Sequence, residues 1–258
     1  MSSPPSSERP YAISALDSAL SVLETIAAEP GMRLLNLVKR SGLSKSHVFR
    51  ILKNLEHHAL IWQDALGGHH LGQAAYLLGK RAERQWSLAH AARGAMDRLA
   101  VETQENVHLV VREYLGVVVV DLRESPHPVR MYAAVGRRGP LHAGGTSRVL
   151  LAHAGEAVLA QVLAAPLPRY TANTLTDADA LRATLEEIRR SEVHVALCDL
   201  EEDTFSVAAP IFGHDAGVLA ALSVAGPLSR FDAARDVRYR EAVRRAAADI
   251  SRNLGYLS

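Results

Sequence analysis

The feature that most constrains this chain is a pair of short amphipathic segments joined by residues 41–44, with the sequence SGLS. Residues 33–40 predict a short helix, and residues 45–57 predict a longer one. Gly42 can adopt the left-handed conformation of a tight turn, and Ser44 is a favourable N-cap. The longer helix has apolar residues at positions i, i+3, i+4 and i+7, which form one buried face: Val48, Ile51, Leu52 and Leu55. Two helices joined so closely predict a helix-turn-helix.

The segments on both sides of this motif predict a winged form of it. Residues 13–29 carry apolar residues at helical spacing, and Pro30-Gly31 ends that helix. Residues 60–62 and 69–71 are strand-like, and Gly67-Gly68 can turn the chain between them. We therefore predict that this hairpin is the wing.

The outer face of the longer helix carries donors suited to DNA. A helix in the major groove needs donors for phosphates near its start and long side chains for base edges. Lys45 and Ser46 suit phosphate, and Arg50 is long enough for a bidentate base contact. The alternative is an ordinary three-helix unit with a solvated basic face. The predicted DNA contacts are Ser44, Lys45, Ser46, His47, Arg50 and Lys53 on the helix, with His69 and His70 on the wing.

Composition excludes several other classes of protein. The net charge of +1 gives no global basic signal, so a DNA-binding surface must be local. No stretch approaches the roughly 18 uncharged apolar residues that a membrane helix needs. The single cysteine, Cys198, excludes an internal disulfide and a cysteine-based zinc finger. No cofactor or metal is expected, and the four clustered histidines are interpreted as surface side chains: His57, His58, His69 and His70.

A length of 258 residues is typical of two domains. Residues 1–10 are rich in Ser and Pro and lack the apolar run of a signal peptide, which predicts a disordered leader on a cytoplasmic protein. A helical stretch, residues 73–104, contains the predicted connection between the domains.

The second half of the chain predicts an α/β sensor-type domain. Helices are expected at residues 146–154, 177–190 and 231–254, with strands between them. A Gly-rich segment, residues 136–145, leads into the first of these helices. The predicted strands are residues 107–112, 117–122, 129–135, 193–197, 206–212 and 218–224.

The start of the helix at residue 146 is a candidate anion site. Gly144, Gly145 and Thr146 lie where the Gly-rich loop meets the helix, and free backbone N–H groups there favour a carboxylate. The alternative is that the two glycines only form a turn.

Several motifs, in order along about 240 residues, resemble those of the IclR-type regulators. They are ALDSALSVLETIA, LVKRSGLSKSHVFRILKNLEHHALI, VGRRGPLHAGGTSRVLLAHA, VAAPIFGHDAGVLAALSVAGP and AAADISRNLG. The resemblance implies an α+β chain in which a winged helix-turn-helix, residues 11–73, is joined by a helical linker, residues 74–89, to a GAF-like α/β effector-binding domain, residues 90–258. It also implies homodimers that often pair into tetramers.

The resemblance further implies an effector, a small organic or aromatic acid, bound beside Gly145 and Thr146. The other implied contacts are Met131, Asp199, Ser206 and Ser223, with Gly144 from the loop and Ala225 where the family commonly has serine. The alternatives are that the methionine only packs in the apolar core and that the serines only form hydrogen bonds with the backbone.

Other departures from the family pattern bear on the predicted sites. His70 stands where the wing usually has Arg or Lys, which weakens the expected phosphate contact. Ser147-Arg148 replaces the usual Gly-Lys, and Ser206 replaces a frequent cysteine.

The expected function is therefore a DNA-binding regulator of transcription, with repression favoured over activation. The competing functions are an enzyme and an oligomeric binding module without DNA binding. An enzyme is disfavoured because Val149 replaces the glycine of a nucleophile elbow around Ser147, for which His142 and Asp199 would be the partners. The expected dimer surfaces include Leu16, Leu20, Leu77, Leu78 and Leu88.

Overall fold

The computed structural model describes residues 13–85 and 87–256, which form two compact units, the first ending at Gln85. The predicted leader, residues 1–10, lies outside the described residues. The predicted linker, residues 74–89, covers the last helix of the first unit and the beginning of the next helix, and its residue 86 is also outside them. No helix among the described residues has the length and apolar character needed to cross a bilayer.

Among its described residues, the first unit contains four helices and a three-stranded antiparallel sheet in the order β1-β3-β2. Its elements are α1 (Ser14–Ala28), β1 (Met32–Arg33), α2 (Leu34–Ser41), α3 (Lys45–His57), β2 (Ile61–Gln63), β3 (Gly68–Leu71) and α4 (Gln73–Gln85). Gly42 ends α2 in the left-handed conformation, with φ of 70°. The helix-turn-helix and its wing are therefore present, and the short strand β1 is an element that the sequence pattern did not indicate.

The core of the first unit confirms the predicted periodicity of α3. All four apolar positions of that helix are buried, and they pack with Val22 and Ile26 of α1 and Leu37 of α2. Leu16 and Leu20, also on α1, are 53% and 47% exposed. These two leucines are therefore not needed for the core, and they remain free for another surface.

The second unit is built on a six-stranded antiparallel sheet in the order β6-β5-β4-β9-β8-β7. The strands are β4 (Asn106–Glu113), β5 (Gly116–Arg123), β6 (Arg138–Pro140), β7 (His194–Leu197), β8 (Thr204–Phe212) and β9 (Val218–Pro227). The helices are α5 (Ser87–Thr103), α6 (Gly145–Ala152), α7 (Glu156–Leu163), α8 (Ala178–Arg190) and α9 (Ala233–Asn253), with a 3-10 turn at Leu228–Arg230.

Helices cover both faces of this sheet because side chains alternate along its strands. Val107 and Leu109 of β4 point toward α5 and α9 and join one core. Val110 points to the other face and joins a second core with α6 and α8. Leu88, expected on a dimer surface, is instead half-buried against the first of these cores.

The predicted strand at residues 129–135 is wrong. The segment has no regular secondary structure, and the strand that pairs with β5 is β6, further along the chain. Burial along the segment does not alternate as it does in a strand with one buried face, and Val129, Tyr132 and Val135 are all exposed. Side chains hold the segment instead: Asn106 Nδ2 donates to Met131 O at 3.0 Å, and Arg230 Nη1 donates to Val129 O at 2.8 Å.

Candidate functional site

Helix α3 presents a polar, cationic face opposite to its buried face. Ser44 caps the helix, and its Oγ accepts a hydrogen bond from the backbone N–H of His47 at 3.3 Å. Lys45, Ser46 and Arg50 are exposed. The cap holds the first turn of the helix rigid, so these side chains project from a fixed backbone. The face can therefore meet a groove of duplex DNA without rearrangement of the helix.

Lys53 lies one turn further along the same face. Its Nζ pairs with Glu56 Oε2 at 2.7 Å and lies over the ring of Phe49, 5.8 Å from the ring centroid. The lysine side chain is 52% exposed, so solvent weakens this ion pair. Lys53 can therefore exchange its carboxylate partner for a phosphate.

His70 is held at the wing by two contacts. Its ring stacks on Trp62 with ring centroids 4.7 Å apart, and its Nε2 forms a hydrogen bond with Asp64 Oδ2 at 2.9 Å. The hydrogen bond with His70 holds the pKa of Asp64 below its ordinary value. Asp64 Oδ1 also accepts the N–H groups of Leu66 and Gly68, at 2.8 Å each, which shapes the turn between the strands.

The prediction that His69 contacts DNA is wrong. Its ring is buried, with 2% exposure, because neighbouring side chains on a strand point to opposite faces. Nδ1 donates to the carbonyl of Met32 at 2.9 Å, and Nε2 lies 3.8 Å from Glu56 Oε1. His69 therefore connects the wing to β1 and to α3 inside the unit.

A cavity of about 630 Å³ lies in the second unit, between the sheet and the beginning of α6. Strands β4, β8 and β9 provide its floor, and the irregular segment before β6 provides one wall. All predicted effector contacts line this cavity: Met131, Gly144, Gly145, Thr146, Asp199, Ser206, Ser223 and Ala225. The fold thus brings together residues that are almost 100 positions apart in the chain, and the contact of each one with a ligand stays a prediction.

The beginning of α6 is packed directly on the cavity floor. A Cβ on Gly145 would lie 2.6 Å from Ser206 Oγ, closer than side chains tolerate. Gly144 has φ of 98°, which a residue with a side chain rarely adopts. The first hydrogen bond within the helix runs from Arg148 N to Gly144 O at 3.1 Å, so the earlier N–H groups have no partner within the helix.

Asp199 lines the cavity but is engaged by the protein itself. Its Oδ2 accepts the N–H of Gly144 at 2.9 Å and pairs with Arg148 Nη2. Both side chains are buried, with 8% and 7% exposure. Burial lowers the pKa of Arg148, and the charge of Asp199 opposes that effect. A ligand hydroxyl that donated to Asp199 would therefore compete with two protein donors.

His108 is a cavity residue that sequence reasoning missed. It is buried on β4 directly opposite Ser223, with Nδ1 and Oγ 3.5 Å apart. Burial, assisted by the charge of Arg137, lowers the pKa of His108 to about 4, so the ring is neutral near pH 7. A polar residue inside the apolar run NVHLVV was the available signal.

Arg137 is a second cavity residue that was missed. Its side chain pairs with Glu201 and donates from Nη1 to Tyr132 O at 2.6 Å. Arg137 therefore connects the irregular segment, through Tyr132, to the loop that follows Asp199, through Glu201. It also contributes positive charge at the cavity wall.

The geometry does not support a catalytic triad at Ser147. His142 Nε2 hydrogen-bonds the carbonyl of Pro168 at 2.8 Å, and Asp199 is paired with Arg148. Within the part of the chain that the structure describes, no three His, Cys, Asp or Glu side chains are grouped so that they could hold a metal ion.

Two stretches of the chain match known families. Residues 15–65 match the IclR helix-turn-helix domain, and residues 81–252 match the family described as bacterial transcriptional regulator IclR C-terminal. The HTH-type transcriptional regulator KipR of Bacillus subtilis is 30% identical over 239 residues, which cover 92% of this chain and 96% of KipR. The HTH-type transcriptional repressor AllR of Salmonella typhimurium is 32% identical, covering 89% of this chain and 90% of AllR. These names describe regulators rather than enzymes.

Two solved structures are similar to this chain over most of its length. The IclR transcriptional regulator of Alicyclobacillus acidocaldarius has a TM-score of 0.86 and 26% identity, covering 95% of this chain and 100% of its own. An IclR homologue from Microbacterium hydrocarbonoxydans, complexed with 4-hydroxybenzoate, has a TM-score of 0.85 and 29% identity, covering 93% of this chain and 99% of its own. The likeness extends over both units.

The lowered pKa of His108 predicts acid sensitivity of the second unit. The unfolded chain protonates this histidine near pH 6.5, whereas the folded chain resists protonation until about pH 4. Above pH 6.5 the histidine is neutral in both states and does not lower the free energy of unfolding. As pH falls from 6.5 toward 4, that free energy decreases, because only the unfolded chain binds this proton. We expect the melting temperature to fall between about pH 7.5 and about pH 5, and to fall less in His108→Asn, which cannot titrate. Equal pH slopes for the two proteins, measured by thermal unfolding, would contradict the assignment.

Proposed function

This chain belongs to the IclR family of bacterial transcriptional regulators, with a helix-turn-helix DNA-binding domain, and from that premise we propose that it is a repressor that a small organic acid releases from operator DNA. Two features support the proposal. Helix α3 has an exposed cationic face, and the second unit has a cavity lined by the predicted effector contacts. Because DNA binding requires access to the chromosome, we place the protein in the cytoplasm.

In the proposed complex, α3 enters the major groove. Arg50 reads a base edge, because its exposed guanidinium has the reach and fork geometry for a bidentate contact with guanine. Lys45 and Ser46 contact phosphates beside the capped helix start, where Ser44 fixes the backbone. Lys53, His47 and His70 add contacts at the edges of this surface.

A homodimer provides the two DNA-binding domains that a specific operator needs, since one winged helix covers only a half-site. The first unit leaves large apolar side chains exposed just before α1, on α1 and on α4, and exposed apolar patches are typical of protein–protein contacts. They are Ile13, Leu16, Leu20, Tyr76, Leu77 and Leu78. We propose that these residues form the dimer contact, and that dimers pair further into tetramers.

The cavity suits an acid of about the size of an aromatic ring compound. Its volume of about 630 Å³ lies within the usual range of small-molecule sites. The start of α6 offers N–H groups and the positive end of the helix dipole to a carboxylate. A relative that is 29% identical was solved with 4-hydroxybenzoate. We therefore propose an aromatic acid and use 4-hydroxybenzoate as the probe.

The DNA assignment predicts different effects for two variants of α3. Arg50→Ala should lose about 1–3 kcal/mol of operator affinity and relax specificity, because a base contact is removed. Lys45→Ala should weaken binding to all DNA alike and reduce the salt dependence by about one unit. Affinities are measured by fluorescence anisotropy on DNA from upstream of the gene and on unrelated DNA, with Arg190→Ala in the second unit as control. If Arg50→Ala retains wild-type operator affinity, Arg50 does not read the operator.

The cavity assignment predicts that a methyl group on Gly145 blocks the acid. In Gly145→Ala the added Cβ collides with Ser206 Oγ and displaces either the cavity floor or the start of α6. We expect about tenfold or weaker binding of 4-hydroxybenzoate by calorimetry, equivalent to about 1.4 kcal/mol, with operator binding retained. Gly79→Ala is the control, because its added methyl meets nothing within 4 Å.

Wild-type affinity for the acid in Gly145→Ala, with wild-type binding in the control, would show that the acid binds elsewhere. Loss of operator binding in the absence of acid would show that Gly145 is structural.

A further inference from the structure

The cavity proposed to bind an acid has a buried carboxylate in its wall. Asp199 is buried and lines the same space as Gly145 and Thr146. A negative charge that is removed from water repels another negative charge strongly, because the surrounding medium screens it poorly. An acid should therefore be rejected unless the charge of Asp199 is cancelled.

Arg148 supplies the cancelling charge. Its Nη2 pairs with Asp199 Oδ2, and its Nε donates to His142 O at 3.2 Å. Arg148 is on the first turns of α6 but does not line the cavity, whereas its neighbour Ser147 does. The guanidinium therefore reaches the ligand space only through Asp199.

The groups that form hydrogen bonds with this ion pair are uncharged. Because a guanidinium only donates, Arg148 Nη1 donates to His194 Nε2 at 3.4 Å, and the His194 ring is neutral. Burial, assisted by Arg148 and Arg240, lowers the pKa of His194 to about 4. The remaining donor to Asp199 Oδ2 is the backbone N–H of Gly144.

The other carboxylate of the cavity wall is in a different environment. Glu201 pairs with Arg137, and both side chains are about one third exposed, at 33% and 35%. Solvent screens that pair. Asp199 is thus the buried carboxylate whose charge would act most directly on an acid.

We propose that the buried Arg148–Asp199 ion pair lets the cavity accept an acid. Arg148 cancels the charge of Asp199, so the beginning of α6 can favour a carboxylate over an uncharged analogue, and Arg148 acts as a positioning and neutralising residue that does not touch the ligand. This inference rests on the function proposed above. It also assigns Asp199 to the shaping of the Gly144 turn rather than to recognition of a ligand hydroxyl.

The test compares the binding of 4-hydroxybenzoate and of the uncharged 4-hydroxybenzamide by calorimetry. Wild type should bind the acid at least about tenfold more tightly than the amide. Arg148→Met should lose at least about tenfold in acid affinity and much less in amide affinity, because Asp199 is left unpaired. Arg148→Lys keeps the positive charge but loses the bond to His142 O, and it should retain the acid preference.

The double variant Arg148→Met/Asp199→Asn shows whether Arg148 affects acid binding through its charge or through the shape of its side chain. It removes both charges, while the amide oxygen of Asn still accepts the N–H of Gly144. We expect acid affinity within about threefold of wild type, although two residues are changed. The double variant also keeps the test decisive if Arg148→Met is too unstable to purify, since it buries no unpaired charge.

The proposal is overturned if the folded double variant binds the acid as weakly as Arg148→Met, because Arg148 would then act by shape or by contact. It is also overturned if wild type does not prefer the acid to the amide. Operator binding and its release by either probe are measured separately for each protein. A protein that binds operator and is released by the amide as well as by the acid would retain the proposed function and refute only the charge preference.

Discussion

A buried ion pair beneath the first turns of α6 determines the shape of the ligand space. Asp199 accepts a hydrogen bond from the N–H of Gly144, and the turn at Gly144 sets the direction in which α6 begins. This direction places Gly145 against Ser206 on the sheet. Arg148 makes a buried carboxylate tolerable at this point. Breaking one partner of such a pair costs far more than the pair contributes, because an unpaired charge remains buried. The floor, wall and helix start of the cavity therefore depend on one another.

The burial of apolar side chains has a different structural consequence in each of the two units. In the first unit, one face of α3 is fixed by a small core, so the opposite face is presented rigidly to solvent. In the second unit, helices cover both faces of the sheet, and space remains where β8 and β9 carry small residues such as Ser206, Ser223 and Ala225. An exposed helix face in one unit and a cavity in the other thus both follow from the burial of apolar side chains.

Local patterns in the sequence predicted local structure well. The spacing of Val48 to Leu55 predicted α3, and Ser44 predicted its start, because helix periodicity and capping act within a few residues. The sequence was less informative about contacts between residues that are far apart along the chain. The Arg148–Asp199 pair joins positions 51 residues apart, and no local pattern indicates it. Of the residues around the cavity, Met131, Asp199, Ser206 and Ser223 were expected from the family resemblance rather than from spacing, and His108 and Arg137 were missed. The placement of His69 was predictable from strand alternation, since His69 and His70 cannot both face outward.

The proposed function requires that occupation of the cavity and binding of operator DNA are coupled. Linkage requires the factor by which the acid changes operator affinity to equal the factor by which operator changes acid affinity. The direct measurement is a closed cycle of dissociation constants, with operator affinity determined with and without the probe acid and acid affinity determined with and without operator. The account predicts equal factors of about 5–150, each weakening binding. Acid affinity unchanged by saturating operator, with the acid bound in the cavity, would contradict it.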